Sequence, residues 1–138
     1  CTPLYHNHYV KSCQESKLLL QEDMELLDWS RWRLCVDTGH LVLALTKPVA
    51  FVTKWADKVS WMHCKDVKTA DAEILERPGV RWQDRFTPRG AGGVDFPKIL
   101  KVLALRQYAG WLVVEQDNSP DPYETSKASI AYLRGALD

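Results

Sequence analysis

The sequence lacks an excess of either charge: 18 Lys and Arg balance 18 Asp and Glu. No positive field exists to gather phosphates or anionic lipid, so neither nucleic acid nor a membrane surface is an expected partner. It also lacks a long apolar run. Segments such as Leu41 to Leu45 and Trp111 to Val114 fall far short of the roughly 20 residues that span a bilayer, and a soluble chain is expected. Glycine and proline are sparse, at 7 each in 138 residues, while 46% of residues are hydrophobic. That balance argues for an ordered globular domain over a disordered one. No C-x-x-C pair occurs among Cys1, Cys13, Cys35 and Cys64. Cys35 and Cys64 stand in apolar runs, where a free thiol behaves as a small hydrophobe, so reduced thiols in a cytoplasmic protein are the expectation. The chain also opens without a methionine or a signal-like leader. Strand-like residues follow Cys1 at once, and further sequence upstream is expected.

What is present is an alternation. Four short apolar, β-rich segments, at residues 2–6, 33–37, 59–64 and 111–115, alternate with four helix-like ones, the pattern of β/α units on a parallel sheet. The first helix places Leu18, Leu19, Met24 and Leu27 at helical spacing and ends near Asp28. After a loop through Gly39, the second starts near Pro48, with Val49, Val52, Trp55 and Ala56 as its buried face. A long polar stretch at 65–93 reads as a functional loop. A helix at 96–107 follows, with Phe96, Ile99, Leu100 and Leu103 inward, and the last helix, at 123–137, turns Ile130 and Leu133 inward. Trp61, Trp82 and Trp111 read as core aromatics before they read as platforms for a polyol ring.

Each strand ends in a residue able to hold a divalent metal or move a proton: His6 or His8, Asp37, His63 and Glu115. Singly, each has a plain structural reading, since a strand-end Asp often caps the next turn and a strand His is usually a hydrogen-bonded core residue. Four such residues at four equivalent positions are a constellation, because the tips of parallel barrel strands converge on one centre. Two carboxylates with one or two imidazoles suit Mn, Co, Fe or Zn better than Ca. The run at 90–93 precedes a helix capped by Asp95 but lacks the spacing and ending of a phosphate-binding loop, so a turn is expected there.

Five runs, Tyr5-His6-Asn7-His8, Asp37-Thr38-Gly39-His40, His63-Cys64-Lys65-Asp66-Val67, Gly90 to Phe96 and Gly110 to Asp117, together resemble the sugar phosphate isomerase/epimerase superfamily of xylose isomerase-like barrels. Within it, the inosose dehydratase branch is the most similar. The resemblance implies the C-terminal half, strands five to eight, of a TIM (β/α)8 barrel, with residues 1–138 forming a single partial domain. It implies Asp37, His63 and Glu115 as metal ligands, with His6 standing where many members have a ligand Glu. It also implies Glu115, His40, Lys65 and His8 as catalytic residues facing a sugar or inositol derivative, and Asp66 as a residue that orients its neighbours. A departure from the family pattern places Ala91 where relatives often carry an acidic residue.

With His6 in place of one carboxylate of a proton-exchanging pair, the pattern leans toward elimination. A dehydratase removing water from a keto-inositol is therefore the first expectation, with imidazoles serving as base and acid. A sugar phosphate isomerase or 3-epimerase is the second. The third is an inactive half-barrel acting through self-association, since four units leave two sheet edges and an interior face open. A homo-oligomer, or an N-terminal half-barrel supplied separately, is the partner these edges call for.

Overall fold

The structure, a computed structural model, describes residues 1–10, 12–68 and 77–137; part of the expected loop at 65–93 lies outside them. Four parallel strands form one sheet in the order β1 (Leu4–His6), β2 (Arg33–Asp37), β3 (Val59–His63) and β6 (Trp111–Val113). The register sets Asp37 beside His63, and His63 beside Val113, so the strand tips are level with one another. Helices α1 (Cys13–Leu26), α2 (Thr38–Leu43), α3 (Pro48–Trp55), α4 (Phe96–Leu105) and α5 (Pro122–Gly135) connect or follow them. A two-stranded antiparallel ribbon, β4 (Asp66–Val67) with β5 (Phe86–Thr87), lies between β3 and α4.

Alternation along the strands divides the sheet into two faces. Leu34, Val36 and Met62 point to the helices and pack with Val52, Phe96, Ile99, Leu100 and Leu103 in one core. Cys35, Asp37, Trp61 and His63 therefore point the other way, toward what is the interior of a closed barrel. All four residues expected on the inner face of α4 are buried. Ser12 caps α1, Asp95 caps α4 and Asp121 caps α5, each accepting the amide hydrogen of the residue three positions on.

Several expectations are corrected. In α1, Leu18 and Leu19 are exposed while Leu20 and Met24 are buried; a contiguous Leu triplet leaves the choice of face to tertiary packing. Ile130 of α5 is exposed, and Ser129 and Leu133 are buried in its place. The loop expected through Gly39 contains α2, too short for periodicity to reveal. Trp111 is 68% exposed, so it is not a core residue here. Among the described residues, no helix is long and apolar enough to cross a membrane.

Candidate metal centre

Asp37 is the pivot of the site. Its Oδ1 accepts the His40 amide hydrogen at 2.9 Å and caps α2. That leaves Oδ2 aimed at the space between the strand tips. One oxygen of Asp37 thus has the capping role its position suggested, and the other is left for the expected site. The backbone beneath it is clamped by buried Asn7, which donates from Nδ2 to the Asp37 carbonyl at 3.0 Å and accepts the Asp37 amide hydrogen at 2.9 Å. Next along, the Thr38 hydroxyl donates to the Lys65 carbonyl at 2.6 Å and accepts the Lys65 amide hydrogen at 2.9 Å. Two polar side chains therefore lock the tips of β1, β2 and β3 together. Gly39 permits the close approach of α2, because a Cβ there would meet Lys65 Cβ at 2.7 Å and the Phe86 ring at 2.9 Å.

Around Oδ2 the other groups gather. His63 Nδ1 lies 3.7 Å from it and 2.8 Å from Glu115 Oε2, and His6 Nε2 lies 3.6 Å from it. Ligand atoms of Asp37, His63 and Glu115 all lie within 4.8 Å of one another. These same three atoms, Asp37 Oδ2, His63 Nδ1 and Glu115 Oε2, are buried yet aligned for no hydrogen bond. Buried polar atoms are normally paired. Ligand atoms that crowd together in this way, here with Lys65 Nζ also against both carboxylate oxygens, have the arrangement of donors around a common ion, whose ligands stand roughly 3–3.5 Å apart. The residues present therefore fit a divalent metal.

Charge supports the same reading. Lys65, only 3% exposed, places Nζ at 3.2 Å from Asp37, 3.1 Å from Glu115 and 2.6 Å from Asp117. Three carboxylates against one ammonium leave a formal charge of −2, which a divalent cation cancels. Burial disfavours the charged Lys65, but Asp37, Asp117 and Glu115 outweigh it and hold its pKa above the ordinary value. Burial alone would likewise raise the Asp37 carboxyl. Contacts with His6 and His63 and the charge of Lys65 reverse this, leaving it well below the usual range. The Asp37 contact is also the main cause of the raised pKa of His63.

The other two imidazoles differ. His40 is buried, and burial pushes its pKa down to about 3, so it is neutral at physiological pH. Its Nδ1 accepts the Tyr9 amide hydrogen at 3.2 Å, which leaves Nε2–H facing Asp37 Oδ2 at 3.9 Å. His8 is exposed and lies over the His40 ring, with centroids 3.8 Å apart. Its Nδ1 meets the Tyr9 carbonyl, which makes Nδ1 the donor and Nε2 the acceptor. Trp82 stands edge-on to both rings. His6, His40, His63 and Lys65 thus gather around Asp37 Oδ2, with Glu115 against His63 and Lys65 and with His8 on the His40 ring.

Three residues not foreseen as site-builders support it: Asn7, Thr38 and Arg89. Asn7 and Thr38 lie inside the diagnostic runs, but side-chain clamps between strands leave no mark on spacing. Buried Arg89 donates from Nε to the Cys64 carbonyl and from Nη2 to the Glu115 carbonyl, joining the segments after β3 and β6. A lone Arg in a loop carries no sequence signal of this. Asp66 organises its surroundings as expected. Its Oδ2 accepts from the amides of Gly90 and Gly92, and its Oδ1 from those of Val67 and Val94. The glycine turn cradles the protein's own carboxylate, and the amides a phosphate would use are already bonded.

Comparison with known proteins agrees with this geometry. The xylose isomerase-like TIM barrel family model matches residues 6–136. Curated relatives include inosose dehydratases of Clostridium beijerinckii, 32% identical over 143 residues and covering 95% of the chain, and of Geobacillus kaustophilus, 30% identical over 141 residues and covering 94%. The chain spans about half the length of these relatives, 46% and 44% respectively. Among solved structures, a D-tagatose 3-epimerase-like protein superposes with a TM-score of 0.65 at 20% identity, over 96% of this chain and 45% of its own. A xylose isomerase domain protein from Planctomyces limnophilus gives 0.66 at 24% identity, over 94% and 44%.

Proposed function

Since the chain belongs to the xylose isomerase-like TIM barrel family, we propose that it is the metal-holding part of a dehydratase that eliminates water from a keto-inositol or similar polyol. The observation that carries this reading is the set of three converging ligand atoms on Asp37, His63 and Glu115, with His6 beside them as a fourth. The inosose dehydratases among its relatives supply the substrate class. A bound divalent ion (Mn, Co, Fe or Zn) would polarise the ketone oxygen and lower the pKa of the adjacent C–H. The chain's own groups do the rest. Lys65 hydrogen-bonds the carbonyl oxygen and offsets its developing charge. His8, with Nε2 as the acceptor, removes the α-proton, and that proton leaves with the departing hydroxyl as water. His40, neutral with its Nε2–H turned inward, orients a substrate hydroxyl, and Glu115 holds both the ion and Lys65. The buried thiols of Cys35 and Cys64 suit a reducing cytoplasmic setting.

The test uses a full-length enzyme carrying these residues. Incubation with a keto-inositol in heavy water should give a product lighter by one water, with activity lost on chelation and in Glu115→Gln. A product that loses no water and is heavier by one carbon-bound deuterium from solvent would instead establish an isomerase or epimerase. One observation favours that second reading: Glu115 and His6 approach the site from the two outer strands and can exchange a proton on opposite faces of a substrate carbon.

A further inference from the structure

A thiol lies close to this centre. Cys35 precedes Asp37 by two residues on the same face of β2, and ligand atoms of His6, Cys35 and His63 lie within 4.8 Å of one another. Among the described residues, Cys35 is the only cysteine in such a grouping. The His6 and His63 rings stand 4.9 Å apart at 66° to each other, so they do not stack flat and close the space between them. His6 has 36% of its side chain exposed, which leaves it free to adjust and gives an ion a way in.

We propose that His6, Cys35 and His63 form a second cation position, selective for soft or borderline divalent ions such as Cd²⁺, Zn²⁺ and Co²⁺ and set deeper along the strands than the Asp37–His63–Glu115 position. Donor chemistry separates the two. One thiolate with two imidazoles favours soft ions, whereas two carboxylates with one imidazole favour harder ones such as Mn²⁺. Contraction by roughly 1 Å brings the three atoms to the spacing that metal–sulfur and metal–nitrogen bonds of about 2.3 and 2.1 Å require. As the metal–sulfur bond forms, the thiol proton passes to solvent, so one proton is released per ion bound. His63 belongs to both sets, as does His6, the fourth group of the first position, and a soft ion held by Cys35 draws both away from Asp37. Soft ions therefore compete with the harder ion without using its carboxylates. This inference does not depend on the reaction proposed above.

The experiment is a Co²⁺ titration of the 138-residue chain followed by near-ultraviolet absorption, where thiolate-to-cobalt charge transfer appears. Wild type should show the band. Cys35→Ser and Cys35→Ala should abolish it and weaken Cd²⁺ binding by about tenfold or more, with circular dichroism confirming that each variant is folded. Cys64→Ser and Cys1→Ser should keep the band, as should Asp37→Asn, which removes the harder position. Mn²⁺ binding, followed by electron paramagnetic resonance, should show the converse: lost in Asp37→Asn and kept in Cys35→Ser. No band in wild type, or a band that survives in both Cys35 variants, overturns the second position. Absence of Mn²⁺ binding in wild type, with the Co²⁺ band behaving as expected, leaves it standing and counts against the first position instead.

Discussion

Asn7 shows what one side chain can fix. Its two hydrogen bonds hold the Asp37 backbone against the end of β1, and Asn7→Ala leaves a buried amide and a buried carbonyl unpaired. The expected outcome is a loss of about 2–4 kcal/mol in urea unfolding, together with a fall of roughly 10–100-fold in metal affinity by calorimetry, the scale seen when groups supporting a ligand are removed. Titration at Asp37 and His63 gives the metal-free protein a stability maximum in mild acid. The Asp37 carboxyl has a lowered folded pKa, so its contribution is complete above its unfolded value of about 3.9 and is lost as pH falls toward the folded one. His63 has a raised folded pKa, so its contribution is complete below about 6.5 and is lost as pH rises through the folded value. Urea midpoints measured in chelator between pH 3 and pH 8 should therefore decline on both sides. Asp37→Asn should flatten both limbs, since it also removes the main cause of the His63 shift.

At the scale of elements, the turn before α4 depends on Gly92. A Cβ there would overlap the Asp66 carboxylate and the Val67 carbonyl, so Gly92→Ala must loosen a carboxylate that satisfies four amides. A loss of about 1–3 kcal/mol is expected, with hydrogen exchange accelerating at Gly90 and Val94 before the rest of the chain. This element also shows how much the sequence disclosed. The four parallel strands and α4 were legible, because β-rich runs and a clean 3.6-residue stripe both come from burial on one side. The short ribbon of β4 and β5 was not, since it pairs Asp66 with Thr87 and Val67 with Phe86 across a long intervening segment. Nor was α2, whose six residues make less than two full turns. That the strand-tip residues cluster was legible because barrel topology brings strand tips together, a rule that needs no contact map. Asn7, Thr38 and Arg89 act through backbone groups of distant residues, and no local pattern records that.

For the whole molecule, the face opposite the helices decides behaviour in solution. Leu4 is 40% exposed and Trp111 68% exposed, one on each outer strand of the sheet, and both outer strands have an open edge. Such a surface is an invitation to pairing. Sedimentation of the 138-residue chain is expected to show concentration-dependent self-association, and Trp111→Lys should shift it toward monomer while leaving the helix-side core intact. The same four strands carry the proposed metal ligands on or just beyond their tips, so occupancy of the centre would be felt well beyond the donor atoms. Asp37 gives one carboxylate oxygen to the proposed ion and the other to the His40 amide at the start of α2. Charge drawn toward the ion is charge withdrawn from that hydrogen bond. The His40 amide proton is therefore a built-in spectroscopic gauge, whose resonance moves upfield as the centre fills and reports occupancy without any substrate present.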